Sequence, residues 1–365
     1  MKRIEYIYFF ASSGVNKKIK GTVNALNDLG FLADDIPITG SFFSRRVNLI
    51  FNLVTTKADI IILRHDFLLA ALYLPFFIFL RCMGKKIIVD IPSPLIVAAK
   101  EHFSIHNFSF AGLVKIVLLF VQHPWSLWPV NLILEYAEES RFFSFGLKSK
   151  ILYTTNGIDV SQIPSIPVKE SYDGNFNMIA VGEIAFWHGY DRLIKGMRDF
   201  FMLHPEQKKS IFFHVVGAGS DVENLKKMAD ELGLSENVIF HGHKTGDALS
   251  SIYANANLAV GTLGLHRKAG SNASPLKNRE YCAYGLPFVM SHFDADFAND
   301  VFFCLQEAPT DDPVNVSHLL SWASDQTRCS PDGRQAIKDY AYKFLDFRFK
   351  WKKILDELEA GNTTR

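Results

Sequence analysis

Two kinds of run alternate along this chain. Short, continuous apolar runs bounded by turn residues read as buried parallel strands, and stretches with apolar positions every three or four residues read as helices. Ile4–Phe10 predicts a first strand and Val15–Leu29 its helix, with Gly30 placed to end it. Ala58–Leu63 and Ile87–Asp90 predict two more strands, and Ile151–Thr155 a short one closed by Asn156-Gly157. The alternation then restarts, with strands at Met178–Val181, Ile211–Val216, Val238–His241, Leu258–Val260 and Pro287–Ser291. Between them lie helical patterns at Tyr190–Leu203, Val222–Leu232, Leu249–Ala256 and Pro275–Tyr284. Strand–helix alternation of this kind predicts an α/β chain of two doubly wound, Rossmann-like domains, with ligands expected at the strand C-termini.

Ser161–Asn175 has two prolines, a glycine and little apolar periodicity, so the linker is expected there. The domains are accordingly placed at 1–165 and 166–334. Residues 335–365 form a final segment whose helical stretch carries Tyr340, Phe344, Phe347 and Trp351 and is expected to pack back on the first domain.

At 365 residues, 48% hydrophobic and 21% charged, the chain has a globular balance and enough length for two cores. The most apolar stretch, Phe67–Leu80, is too short to span a bilayer, and Val117–Leu134 is interrupted by Gln122, His123, Pro124 and Pro129. Glu5 interrupts the apolar run after Lys2-Arg3, so an export leader is not expected. Four cysteines without metal-ligand or disulfide spacing fit a reducing, cytoplasmic compartment. Residues 1–150 hold 17 Lys and Arg against 11 Asp and Glu, and the remainder 22 against 27. The basic part includes Lys17, Lys18, Lys20, Arg45, Arg46, Lys85 and Lys86, with Trp125 and Trp128 beside an apolar stretch. One reading is a first domain peripheral on the cytosolic face of an anionic membrane; the other is scattered charge and core aromatics. Neither calls for a nucleic-acid partner.

The densest chemistry lies in Ser274–Pro287. Ser274 is expected as N-cap, Pro275 as the first helical residue and Gly285 as the helix stop. The amides of Leu276 and Lys277 would then face out of a helix N-terminus, where orphan donors and the dipole attract phosphate. Lys277, with Arg267-Lys268 upstream, puts cations where a helix start disfavours them, which a bound anion would explain. Glu280 lies one turn beyond Lys277 on the same face and suits the vicinal hydroxyls of a ribose. The alternative is a well-capped structural helix with solvated charges and an internal ion pair.

These residues resemble the donor-site signature of the retaining family-four glycosyltransferases, in which Glu-x7-Glu precedes a small-residue helix end and Gly-x-Pro. The resemblance implies a GT-B fold of two facing Rossmann-like domains. It implies that Glu280 grips the nucleotide ribose, and it puts Asn272 where the family has its first Glu, on the donor sugar. Ser13-Gly14-Val15 resembles the family's first loop, which gives Gly14 a role at the donor phosphates. Asn156-Gly157-Ile158-Asp159 resembles the turn that ends the first domain. Val181-Gly182 through His188-Gly189-Tyr190-Asp191 resembles the stretch after the second domain's first strand. There Glu183 and His188 replace the family's Arg and Lys, and Lys277, Arg267, Lys268 and a protonated His188 are expected to supply the charge instead. Gly182, Ser274, Pro275 and Leu276 complete the implied donor site.

Asp90 falls where many relatives have a His, beside the acceptor, and Arg64-His65-Asp66 ends another strand as a second acceptor-side candidate. The plain alternative for Asp90 is a capping residue before Pro92. His102, His106 and His123 have no partner spacing. What the resemblance implies is a retaining, metal-independent glycosyltransferase of the surface-polysaccharide type. It would use a nucleotide-diphosphate sugar as donor substrate, no cofactor, and a glycan or lipid-linked glycan as acceptor. Asp90, Lys277 and Glu280 would be its reacting-centre residues. A nucleotide-sugar epimerase of the same fold and a catalytically silent partner subunit are the alternatives, whereas Ser-Ser-Gly-Val after the first strand argues against a dehydrogenase.

Overall fold

The computed structural model describes residues 1–9, 13–65, 70–91, 114, 117, 121, 125–136, 147, 150–164, 174–268, 272–297 and 301–361. Outside them lie Phe10, Ser12, Asp66, Pro92, Pro94, His102, His106 and His123, with parts of the Phe67–Leu80, Val117–Leu134 and Ser161–Asn175 stretches. The chain divides into two compact units, Met1–Asp159 with Asp346–Arg365, and Val160–Leu345.

Unit 1 begins with β1 (Arg3–Tyr8), α1 (Ser13–Asp28), β2 (Leu32–Pro37), α2 (Phe42–Thr55) and β3 (Ile60–Arg64). It continues with α3 (Leu74–Cys82), β4 (Lys86–Ile91), β5 (Leu132–Glu135) and β6 (Ile151–Tyr153). All six strands are parallel, in the order β2-β1-β3-β4-β5-β6. Residues of β1, β3 and β4 alternate between two apolar layers. Tyr6, Ile62 and Ile88 face one, and Ile7, Ile61 and Val89 the other, where Leu49 of α2 and Phe77 of α3 close the core.

Unit 2 holds β7 (Phe176–Val181), α4 (Tyr190–Leu203), β8 (Ile211–Val216), α5 (Val222–Glu231), β9 (Val238–Gly242) and α6 (Gly246–Ala254). Then come β10 (Leu258–Val260), α7 (Leu276–Ala283), β11 (Phe288–Met290), β12 (Cys304–Gln306), α8 (Val316–Ala323), α9 (Gln326–Cys329) and α10 (Pro331–Tyr340). Its sheet is again wholly parallel, ordered β12-β11-β10-β7-β8-β9, so the winding direction reverses between β7 and β10. In a doubly wound sheet that reversal opens the crevice where ligands bind.

The last stretch is not one helix. A π turn at Ala341–Leu345 follows α10, and Asp346 then takes an extended conformation (φ −62°, ψ 138°) and caps α11 (Phe347–Ala360) by accepting the Arg348 amide at 2.7 Å. Helix α11 belongs to unit 1: Phe347, Trp351, Ile354 and Leu358 enter the core layer of α1, and the Trp351 indole donates to Thr22 Oγ1 at 3.0 Å.

Two of the basic residues expected at a membrane point inward. Lys18 is buried against Asp90, and Arg46 is buried, donating to the Phe42 carbonyl at 3.0 Å with its guanidinium over the Phe42 ring. Lys85 donates to the Ala58 carbonyl at 2.6 Å. Their aliphatic stems fill apolar space and their heads find fixed acceptors. Trp125 and Trp128 are exposed. No helix among the described residues is long and apolar enough to cross a membrane.

Candidate functional site

The reversal point of unit 2 is stitched by one phenol. Tyr281 of α7 accepts the Val181 amide at 3.0 Å and donates to the Val260 carbonyl at 3.2 Å, joining the C-terminal ends of β7 and β10 to the helix. Arg279, fully buried, anchors the other side of α7 through Asp294 and Asp296. Helix α7 is therefore held with its first turn at the carboxyl edge of the sheet.

That first turn differs from expectation by one residue. Pro275 is extended (φ −65°, ψ 136°) and is itself the N-cap, so Ser274 does not cap and Leu276 is the first helical residue. A prolyl residue has no amide to satisfy, which makes it acceptable there. Ser274 is instead buried just ahead of the helix. The amides of Leu276 and Lys277 still open the helix, where no intrahelical acceptor exists. Gly285 ends it with φ 73°.

Lys277 turns back toward the end of β7. Its Nζ donates to the Tyr190 hydroxyl at 3.0 Å, and a Cβ added to Gly182 would sit 3.7 Å from that Nζ. Gly182 has φ 134°, a conformation open to glycine, so the chain leaves the strand without a side chain over the ammonium. Burial pulls the Lys277 pKa down to about 7. The His188 ring stacks on Tyr190 at 5.5 Å with 15° between planes, and its Nδ1 accepts the Ala185 amide at 3.0 Å.

The protonated His188 expected from the sequence is not what the structure holds. Burial, together with Lys277 and Lys268, drives its pKa down to about 2. With Nδ1 occupied as an acceptor, the neutral ring carries its proton on Nε2 and offers a donor without a charge. Arg267 is also no reserve of charge: it binds Asp191 through two bonds of 2.7 and 3.1 Å and Asp311 through one of 2.7 Å. Lys268 does lie nearby, its Nζ 4.6 Å from the centre of the Trp187 ring. Glu183 is exposed one residue beyond Gly182. Asn272 forms a short parallel bridge to Phe293 ahead of α7, and Glu280 is half-buried among Tyr253, Tyr281 and Tyr284, whose phenols its charge helps to hold protonated. Thus Gly182, His188, Lys268, Lys277 and Tyr190 gather around one strand end. The role of Tyr190, as support for both Lys277 and His188, was not readable from spacing.

In unit 1 the candidates converge on a buried cluster. Asp90 near the end of β4 receives the Tyr6 hydroxyl, both Lys18 bonds (3.2 and 3.3 Å) and Arg64 Nη1 at 3.3 Å. Burial alone would raise its pKa, but Lys18 and Arg64 outweigh that and hold it below the usual carboxylate value. Lys18 drops to about 8 by burial, partly offset by Asp90. The Lys18 ammonium also lies 3.7 Å from the centre of the Tyr136 ring. His65 is buried alongside, its amide donating to the Asp90 carbonyl at 2.9 Å. Asp90 is therefore neither a simple turn cap nor open to water, and sequence reading missed its partners Tyr6, Lys18 and Tyr136. Gly14 lies in the first turn of α1, exposed, and not in a loop.

Residues 162–298, which contain the whole Gly182–Lys277 cluster, match the family described as glycosyl transferases group 1. The match lies within the second unit. An uncharacterized glycosyltransferase of Methanocaldococcus jannaschii is 26% identical over 211 residues, 55% of this chain and 49% of that protein, so the chain matches about half the length of this curated relative. Among solved structures, sucrose-phosphate synthase from Thermosynechococcus elongatus superposes with a TM-score of 0.68 at 13% identity, covering 99% of this chain and 100% of its own. A glycosyltransferase from Rickettsia africae gives 0.65 at 10% identity, covering 100% and 99%. The trehalose-6-phosphate structure from E. coli bound with UDP-2-fluoro glucose gives 0.64 at 14%, covering 98% and 99%. At these identities the likeness is one of fold, and the fold is GT-B: two Rossmann-like units, each with a six-stranded parallel sheet.

Proposed function

We propose that this chain is a retaining, metal-independent glycosyltransferase that moves a sugar from a nucleotide-diphosphate donor to a glycan or lipid-linked glycan. The observation that carries the reading is Lys277, a half-buried ammonium at the opening of α7 with Gly182 before it and the Nε2–H of His188 close by. A half-buried cation whose described partner is the neutral Tyr190 hydroxyl, next to orphan helix amides, suits a diphosphate. The match of residues 162–298 to the group 1 glycosyl transferases and the UDP-2-fluoro glucose bound by a protein of this fold support a nucleotide sugar as the donor.

In this reading the α7 amides and Lys277 take up the charge that develops on the leaving diphosphate, and His188 adds a neutral hydrogen bond. Glu280 holds the ribose hydroxyls and Asn272 the donor sugar. Front-face displacement follows: the acceptor oxygen bonds to the anomeric carbon as the bond from that carbon to the diphosphate oxygen breaks on the same face, and the acceptor's proton passes to the departing diphosphate. Asp90 acts from within, holding Arg64 and Lys18 on the acceptor side.

The test is a thermal-shift screen of nucleotide sugars, since a specific donor raises the melting temperature by mass action. Lys277→Ala should then weaken donor binding by about 1.5–3 kcal/mol, as for a charged hydrogen bond lost. Glu280→Ala should weaken nucleotide diphosphate and nucleotide sugar alike. Wild-type affinity in both variants would refute the site. Sugar released or isomerised from donor alone, with no acceptor dependence, would point to epimerase chemistry.

A further inference from the structure

We propose that the outer face of α2, continued by α3, docks on an anionic lipid surface. The inner face of α2 is accounted for: Arg46, Leu49 and Leu53 are buried in unit 1. Its outer face is apolar as well. Phe43, Val47, Phe51 and Val54, spaced four, four and three residues apart, are 77%, 65%, 66% and 48% exposed. Helix α3 packs against α2 and repeats the arrangement, with Phe77 and Leu80 inside and Ile78, Phe79 and Met83 outside. Ser44, Asn48, Asn52 and Thr55 give α2 its polar side, so Phe43, Val47, Phe51 and Val54 form a separate exposed apolar strip, of the kind that is normally covered. Trp125 and Trp128 are exposed on either side of Leu127, which is buried in the same core layer as Leu49 and Phe77.

Charge selects the occupant. Neither α2 nor α3 contains an acidic residue; Arg46 and Lys85 point inward and Arg64 is held by Asp90, so other basic residues make the rim. Arg45 lies between Phe43 and Val47, Lys57 is exposed just past α2, and Arg81 lies beside Met83. The complement of a large apolar face with a basic rim is a surface with negative charge outside and hydrocarbon beneath, which is an anionic bilayer. Indole rings prefer that same interface. A second copy of the chain would bring the same basic rim against this one and be repelled.

The proposal does not rest on the donor site, and its test does not require activity. The purified chain is floated with phosphatidylcholine vesicles, with and without phosphatidylglycerol, at low salt and at 1 M, where the Debye length falls to about 3 Å. The expected result is retention that needs phosphatidylglycerol and declines with salt. The Phe43→Ser/Phe51→Ser double variant should lower the bound fraction by about tenfold or more, the scale of two large apolar side chains returned to water. Both residues are exposed, so its melting curve should match wild type; if it does not, the salt and lipid dependence of the wild-type chain decides. No retention, or retention indifferent to lipid charge and salt, overturns the proposal. So does a folded double variant that binds as wild type does, or a lipid-free dimer that the double variant dissolves.

Discussion

Lys277 holds its charge in a place that resists charge. Burial lowers its pKa from 10.5 to about 7, so half the free molecules at neutral pH have already lost that proton. In the unfolded chain the same lysine stays protonated up to about 10.5. Between those values the unfolded state binds more protons, so this group makes stability rise with pH from about 7 upward. A diphosphate beside it reverses the preference and restores the ammonium. Donor binding is therefore expected to take up a proton above pH 7, and donor affinity to fall by up to ~10-fold per pH unit there. Calorimetry in buffers of different ionisation enthalpy measures the uptake directly. In Lys277→Met the uptake should vanish; an unchanged pH profile in that variant would place the titrating group elsewhere. His188, held neutral down to about pH 2, contributes nothing to this slope. At this scale the residue types were legible and their ionisation was not. Lys277 and Glu280 stand out by their position at a helix start, but the ties from Lys277 to Tyr190 and from Arg267 to Asp191 depend on segments that the sequence does not place side by side. Lys18 read as a solvated charge for the same reason.

Elements were legible where burial imposes one simple pattern. Strands β1, β3, β4, β7, β8, β10 and β11 are short apolar runs because both their faces are covered, and the reading found each of them. Strand β2 escaped it: at the sheet edge its Leu-Ala-Asp-Asp-Ile-Pro carries two carboxylates that a central strand could not accept. Helix α2 escaped as well: its buried stripe is Arg46, Leu49 and Leu53, and an arginine in that stripe does not read as a core position. The break at Asp346 was invisible because the apolar spacing continues across it, from Tyr340 and Phe344 to Phe347 and Trp351. Helix α7 was found, and its sheet contact gives a prediction. Tyr281→Phe leaves the Val181 amide and the Val260 carbonyl without their shared partner, at a cost of about 1–3 kcal/mol for buried polar groups unmet. Because the same bond holds α7 to the sheet edge, donor affinity should fall together with the melting temperature of the variant. A Tyr281→Phe protein with wild-type donor affinity would mean that Arg279 alone sets the helix.

At the scale of the whole molecule, unit 1 is built from two separated pieces of chain. Its core layer under α1 is completed by Phe347, Trp351, Ile354 and Leu358. Trp351→Ala should therefore destabilise unit 1 by about 3–5 kcal/mol, the usual cost of removing a large buried aromatic. A melt monitored with unit-specific probes should show the early transition in unit 1 alone; equal loss in both units would mean that they unfold as one. The division has a further consequence in time. A ribosome makes the whole parallel sheet of unit 1 first, then all of unit 2, and only then the helix that seals the first core. While unit 2 is being synthesised, Ile19, Leu26 and the Thr22 hydroxyl lack their closing partner, so the nascent chain carries an open hydrophobic layer for that interval. Chaperones that recognise apolar surface should thus engage this protein late in its synthesis, and release it when Trp351 leaves the exit tunnel.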